Sequence, residues 1–113
     1  MSASIAACTI DRVTAARRCG QEPRAADWLI RARLACRIAE QARTRQEARA
    51  AAGVARQAAT ACAVALGATR AVTEAAHGYA VDAQRAEGNF GGGWAEEDVT
   101  YLRAWIDRRV SGR

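Results

Sequence analysis

Lysine is absent from this chain, and proline and histidine occur once each. All 17 basic residues are therefore arginine, set against 12 acidic ones for a net charge of +5. A GC-rich coding sequence accounts for both the missing lysine and the 30 alanines. A second reading is that a protein without side-chain amines cannot compete with a substrate for an amine-reactive electrophile. Large apolar residues are also scarce. Val, Ile, Leu and Phe number 17 among 113 residues, below the share usual for a globular domain. The core must therefore be thin. One proline and nine aperiodic glycines exclude collagen. The alanine excess points away from strands and towards helices, because alanine is the best helix former and is depleted in sheets.

Other absences narrow the chemistry. The serines are Ser2, Ser4 and Ser111, all near the ends, so no serine triad is visible. Cys8, Cys19, Cys36 and Cys62 include no close pair, and a zinc site needs closer spacing. They are expected to act as small buried hydrophobes, with no metal and no cofactor. No basic segment is followed by a long apolar run, and no stretch approaches the ~18 apolar residues of a membrane span. The expectation is a cytoplasmic chain with no membrane span. The arginines are scattered from Arg12 to Arg113, which argues against a nucleic-acid interface.

The length fits one domain, residues 1–113. The pattern predicts an all-α bundle of about five helices. A first helix over 4–19 ends at Gly20. Pro23 opens a second, proline being favoured at the first helical position, and neither proline nor glycine interrupts 23–52. At 100° per residue its apolar positions, including Trp28, Leu29, Ile30, Leu34, Ala35 and Ile38, span roughly 260°. That marks a central helix covered on two sides, turning polar after Glu40. Gly53 is placed to bend or break the run. Residues 54–66 then place Val54, Ala58, Ala61, Cys62 and Ala65 on one face. Residues 68–87 carry Val72, Ala76, Tyr79, Ala83 and Ala86 on one side, with Arg70, Thr73, Glu74, His77 and Gln84 opposite. Four glycines between 88 and 94 break the helix. The last helix starts near Ala95, with Glu96, Glu97 and Asp98 suiting its N-terminal dipole. The thin core and two-sided central helix predict a closely packed or intertwined homodimer.

Candidate chemistry follows from position. Asp27 and Arg31 lie four apart inside the apolar arc, as a helical ion pair or as a polar anchor in a binding cleft. His77 is the only side chain whose unperturbed pKa lies near neutrality. It is either a surface histidine or a proton-transfer group. Phe90 and Trp94 on the glycine loop either pin a linker to the core or form a lid over a ligand. Trp28, Tyr79, Tyr101 and Trp105 fill the core, form an interface or line a ligand surface. The candidate catalytic residues are thus His77, Arg31 and Asp27. The candidate substrate-binding residues are Trp28, Tyr79, Phe90, Trp94, Tyr101 and Trp105.

Two families are similar. Gln46-Glu47-Ala48-Arg49-Ala50-Ala51-Ala52, Ala75-Ala76-His77-Gly78-Tyr79-Ala80 and Glu22-Pro23-Arg24-Ala25-Ala26 resemble stretches of alanine-rich actinobacterial immunity proteins. That resemblance covers about half of the chain and implies a non-catalytic binding module. In size, helical character, lack of a cofactor motif and arginine-without-lysine composition, the whole chain resembles the lysinoalanine-forming proteins of cinnamycin- and duramycin-type lantibiotic clusters. This second resemblance implies a homodimer, a peptide substrate and no cofactor. Its activity is addition of a peptide lysine amine to a dehydroalanine of the same peptide. No residue role carries over from it, for no diagnostic motif is shared.

Overall fold

The computed structural model describes residues 12–90 and Ala104. Within them lie four helices: α1 Arg12–Arg18, α2 Ala25–Gln41, α3 Arg45–Val64 and α4 Arg70–Gly88. No strand occurs among the described residues, where the sole bridge pairs Arg24 with Leu66. The expected all-α architecture stands. The expected fifth helix near Ala95 lies outside the described residues.

Gly20 ends α1 as expected. With φ at 71°, it lets its own N–H reach the Arg17 carbonyl at 3.0 Å and that of Gln21 reach Ala16 at 2.9 Å. These two bonds close a Schellman motif. Pro23 does not open α2. It lies two residues before the first helical position, and Arg24 is the N-cap. The Arg24 N–H donates to Asp27 Oδ2 at 2.9 Å, while the Ala25 N–H donates to the Leu66 carbonyl at 2.9 Å. The start of α2 is thereby tied to the α3–α4 connection. Gly67, at φ 82°, makes that connection possible, and the Arg24 guanidinium packs close against it, 3.0 Å from where a β-carbon would stand.

The uninterrupted helix expected over 23–52 is two helices. Ala42 turns extended at φ −63°, ψ 141°. Thr44 then caps α3 by accepting from the Glu47 N–H at 3.2 Å, and Glu47 Oε2 accepts from the Arg43 N–H at 3.3 Å. Thr-x-x-Glu is a helix-start signature, and here it outweighs the absence of proline and glycine. Conversely, α3 runs unbroken through Gly53. One glycine costs a helix only ~1 kcal/mol, less than the packing of α3 supplies.

The helices α2, α3 and α4 pack in mutual contact, and α1 packs on α2. α2 thus touches all three other helices, but only Ala25, Ala32, Ala35, Cys36 and Ala39 of it are buried, while Ile38 of the expected apolar arc is exposed. The buried stripe of α3 is Ala48, Ala51, Ala52, Ala55, Ala58, Ala59, Cys62 and Ala63. It is displaced from the face expected over 54–66, since Val54 is exposed and Ala61 and Ala65 are only partly buried. The α4 stripe is Thr73, Ala76, His77, Ala80, Ala83, Gln84, Ala86 and Glu87. Val72 and Tyr79, expected to centre its apolar side, are only partly buried. In α3 the smallest residues mark the core, in α4 alanines share it with Thr73, His77, Gln84 and Glu87, and in both the larger apolar residues stand at its edge. A buried methyl contributes only roughly 0.8 kcal/mol. Close helix approach, with its many dispersion contacts, offsets that small return. The largest fully buried side chains among the described residues are Val13, Thr73 and Cys62.

Candidate functional site

Two regions of the described structure bring polar and aromatic groups together. The first lies where α1 crosses the N-terminal half of α2. Trp28 is half-buried there. The Arg31 guanidinium carbon is 5.2 Å from its ring centroid and that of Arg17 is 5.4 Å away. These separations suit cation–π attraction. Arg31 also donates from Nη2 to the Thr14 hydroxyl at 3.3 Å. Side-chain spacing on one helix brings Trp28 and Arg31 together, whereas Arg17 and Thr14 arrive through the packing of α1 on α2. The result is an aromatic surface flanked by two cationic donors.

Asp27 stands beside this cluster, but its carboxylate closes the first turn of α2 on the Arg24 N–H. Asp27 and Arg31, expected as a pair, thus engage different groups: the acid holds a backbone amide, and the base contacts Thr14 and Trp28.

The second region is an open groove of about 560 Å³ between the C-terminal ends of α2 and α4. Glu40 and Ala39 line it from α2, and Asp82, Arg85, Asn89 and Phe90 from α4 and its cap. Because α2, α3 and α4 succeed one another through short turns, α2 and α4 run the same way and end together. The negative ends of two helix dipoles therefore meet at the groove. Arg85 Nη1 stands 3.9 Å from Asp82 Oδ1, with both side chains more than half exposed, so their attraction is weak. One turn inward, the buried Cys36 thiol lies 3.6 Å from Glu40 Oε1. Burial pushes Cys36 up to about 11, and the negative charges of Glu40 and Asp82 add to the shift. Such a thiol stays protonated at neutral pH and is a poor nucleophile.

His77 belongs to neither region. It is 5% exposed, on the buried stripe of α4 between Thr73 and Gln84. The surface placement expected for it is overturned, because the alanines Ala76, Ala80 and Ala83, not Val72 and Tyr79, set which side of α4 faces inward. Among the described residues, Thr73 Oγ1 and both amide atoms of Gln84 are buried with no hydrogen-bond partner. Tyr79 packs against the edge of the core. Phe90 follows the α4 cap, its N–H donating to the Glu87 carbonyl at 2.9 Å. Phe90 as a whole is 36% exposed. Gly88, expected in the glycine loop, is still helical, and residues 91–94 of that expected loop lie outside the described residues. Trp94, Tyr101 and Trp105 lie outside the described residues.

Trp28, Arg31 and Phe90 stand out in the sequence, but Arg17 as the neighbour of Trp28, and Glu40, Asp82 and Arg85 as lining residues beside Phe90, do not. Glu40 and Asp82 meet only through the parallel run of α2 and α4, and no local spacing announces that. No helix among the described residues is long and apolar enough to cross a membrane. No cluster of three metal-ligating side chains occurs among them. No family model matches the chain, and neither a curated protein nor a solved structure matches it.

Proposed function

We propose that this protein is a peptide-tailoring protein that closes a lysinoalanine bridge in a lantibiotic precursor. Within the described structure, the observation that carries the reading is the Arg17–Trp28–Arg31 cluster. The reaction forms a bond between the lysine nitrogen and the β-carbon of dehydroalanine. The nitrogen loses a proton, the alkene electrons move to the α-carbon and carbonyl as an enolate, and that carbon regains a proton. No oxidant is consumed and mass is conserved. Two needs follow. Amine and alkene must be held together, which can lower such a barrier by as much as ~7–11 kcal/mol. The enolate oxygen also needs donors already in place. Arginine supplies them without being an amine nucleophile. Trp28 holds the Arg17 and Arg31 guanidiniums together over its half-buried ring, and the pair serves as cationic donors towards a bound peptide. In this reading Asp27 contributes by fixing the first turn of α2, which carries Trp28. A buried His77 suits structural support better than proton exchange with a peptide, so a peptide carboxylate is the preferred base.

The protein acts as a homodimer in this proposal. Ile38, Val54, Val64 and Leu66 are 42–65% exposed, while the core of the same chain is built largely of alanine. A second copy would cover such aliphatic side chains, and sedimentation at micromolar concentration should show a dimer. A compact monomer there would remove this part. A second reading, a non-catalytic immunity or peptide-binding module, is favoured by one observation. Of the three described cysteines, Cys36 and Cys62 are buried and Cys36 is held protonated, although Cys19, expected to be buried, is exposed.

Arg31→Ala and Arg31→Lys separate the two. Donor stabilisation of an enolate predicts at least tenfold slower bridge formation for Arg31→Ala, each lost charged hydrogen bond being worth ~1.5–3 kcal/mol. Peptide affinity should change less than rate. Equal loss of affinity and rate would favour the binding module.

A further inference from the structure

We infer that α4 is a hinged cover, which detaches from the α2–α3 pair about the 65–69 connection and bares the alanine face around Cys36. The buried faces of the three helices differ in kind. Those of α2 and α3 are alanine and cysteine throughout. On α4, four alanines share the buried face with Thr73, His77, Gln84 and Glu87. Burial of apolar surface holds a helix in place, whereas a buried polar group is costly unless it is hydrogen-bonded. Thr73 Oγ1 and both amide atoms of Gln84 are buried without a partner, so detachment returns them to water at a gain. Elements that open short of global unfolding come from the least stable part of a fold, and here that part is α4.

The pivot is fixed to the part that stays. The Ala25 N–H donates to the Leu66 carbonyl at 2.9 Å. The Arg24 guanidinium packs against Gly67, whose φ of 82° turns the chain. Both contacts tie the connection to the start of α2, so the motion begins after Gly67. The Arg17–Trp28–Arg31 cluster lies on α1 and α2 and is left in place.

Two buried thiols report the motion separately. Cys36 is 3% exposed and lies close enough to α4 to feel the charge of Asp82. Cys62 lies between α2 and α3, its Sγ donating to the Ala25 carbonyl at 3.4 Å. Release of α4 uncovers Cys36 and leaves Cys62 shielded.

The test treats the full-length protein with iodoacetamide under native conditions and locates each modified cysteine by peptide mapping at successive times. Exposed Cys19 gives the unprotected rate. Cys36 should label at least about tenfold faster than Cys62. T73V keeps the side-chain shape and removes the unpaired hydroxyl; Q84M replaces the amide with a flexible apolar chain. Each should slow Cys36 labelling at least about fivefold. T44A removes the α3 cap and weakens the α2–α3 pair whether or not α4 is docked. It should speed Cys62 labelling about fivefold and leave Cys36 unchanged. Amide exchange gives a reading without thiols. Ala80 and Ala83 of α4 should exchange faster than Ala55 and Ala59 of α3, because a detached 19-residue helix is marginal in water. Equal labelling of Cys36 and Cys62, parallel acceleration of both by T44A, or unchanged Cys36 labelling in both T73V and Q84M would overturn the inference. So would equal exchange in the two helices. None of these readings depends on peptide binding or bridge formation.

Discussion

Gly53 and Gly78 offer a direct probe of which surfaces are free. Both sit inside helices, α3 and α4. Neither requires a positive φ, and a β-carbon built at either meets nothing within 4 Å. Alanine at such a site removes backbone entropy from the unfolded chain and strains nothing in the folded one. Each substitution should therefore stabilise by ~0.5–1 kcal/mol. The sites are on different helices, so the double variant should gain ~1–2 kcal/mol. In a chain this small, each step corresponds to a rise in melting temperature of roughly 3–6 °C. Thermal unfolding by circular dichroism, at two protein concentrations, measures it. Destabilisation by Gly53→Ala would refute the reasoning, because it would mean that another surface presses on α3 at that point. If the loss were also concentration-dependent, that surface would belong to a second copy.

Removing the α3 cap with Thr44→Ala should cost ~1 kcal/mol, read as a lower urea midpoint, while Thr44→Ser should be nearly neutral. Titration of Cys36 tests the groove's field. Followed by thiolate absorbance in a variant with Cys36 as the sole cysteine, it should ionise near about 11, above its ordinary 9.0, and Glu40→Gln should lower the midpoint. The raised value has a stability consequence. The folded protein disfavours the thiolate, so this contribution is full below pH 9 and is lost as pH rises through about 11. With no lysine in the chain, Cys36→Ala should visibly flatten stability across that window. Arg31→Ala, which breaks the Thr14 contact and one cation–π contact, should lower stability by about 1 kcal/mol; guanidinium denaturation checks it.

Helical content and the central place of α2 were legible because alanine excess and a wide apolar arc leave little choice. The break at residues 42–44 was also written in the sequence, as Thr44 and Glu47, but the proline- and glycine-free run pointed the other way. The buried faces of α3 and α4 were less legible. Ordinary amphipathic reasoning ranks Val54, Val72 and Tyr79 above alanine, whereas an alanine core selects for small size. That inversion also hid His77, which was assigned to a polar face and lies on the buried one. At the candidate sites, Trp28 and Arg31 follow from i, i+3 spacing on one helix. Arg17 reaches them only through the docking of α1, and Glu40 shares a groove with Asp82 only through the common direction of α2 and α4.

Bridge formation itself is the decisive reaction. A dehydrated, thioether-cyclised lantibiotic precursor carrying one lysine and one dehydroalanine is incubated with and without the protein. Mass does not change, so the readout is loss of thiol-reactive alkene together with the altered fragmentation of a closed ring. Closure markedly faster than the spontaneous reaction, and slowed at least tenfold by Arg31→Ala, is the predicted result. Alkene reactivity that persists at the uncatalysed level, while the folded protein binds the same peptide, would contradict the tailoring role and leave a binding module in its place.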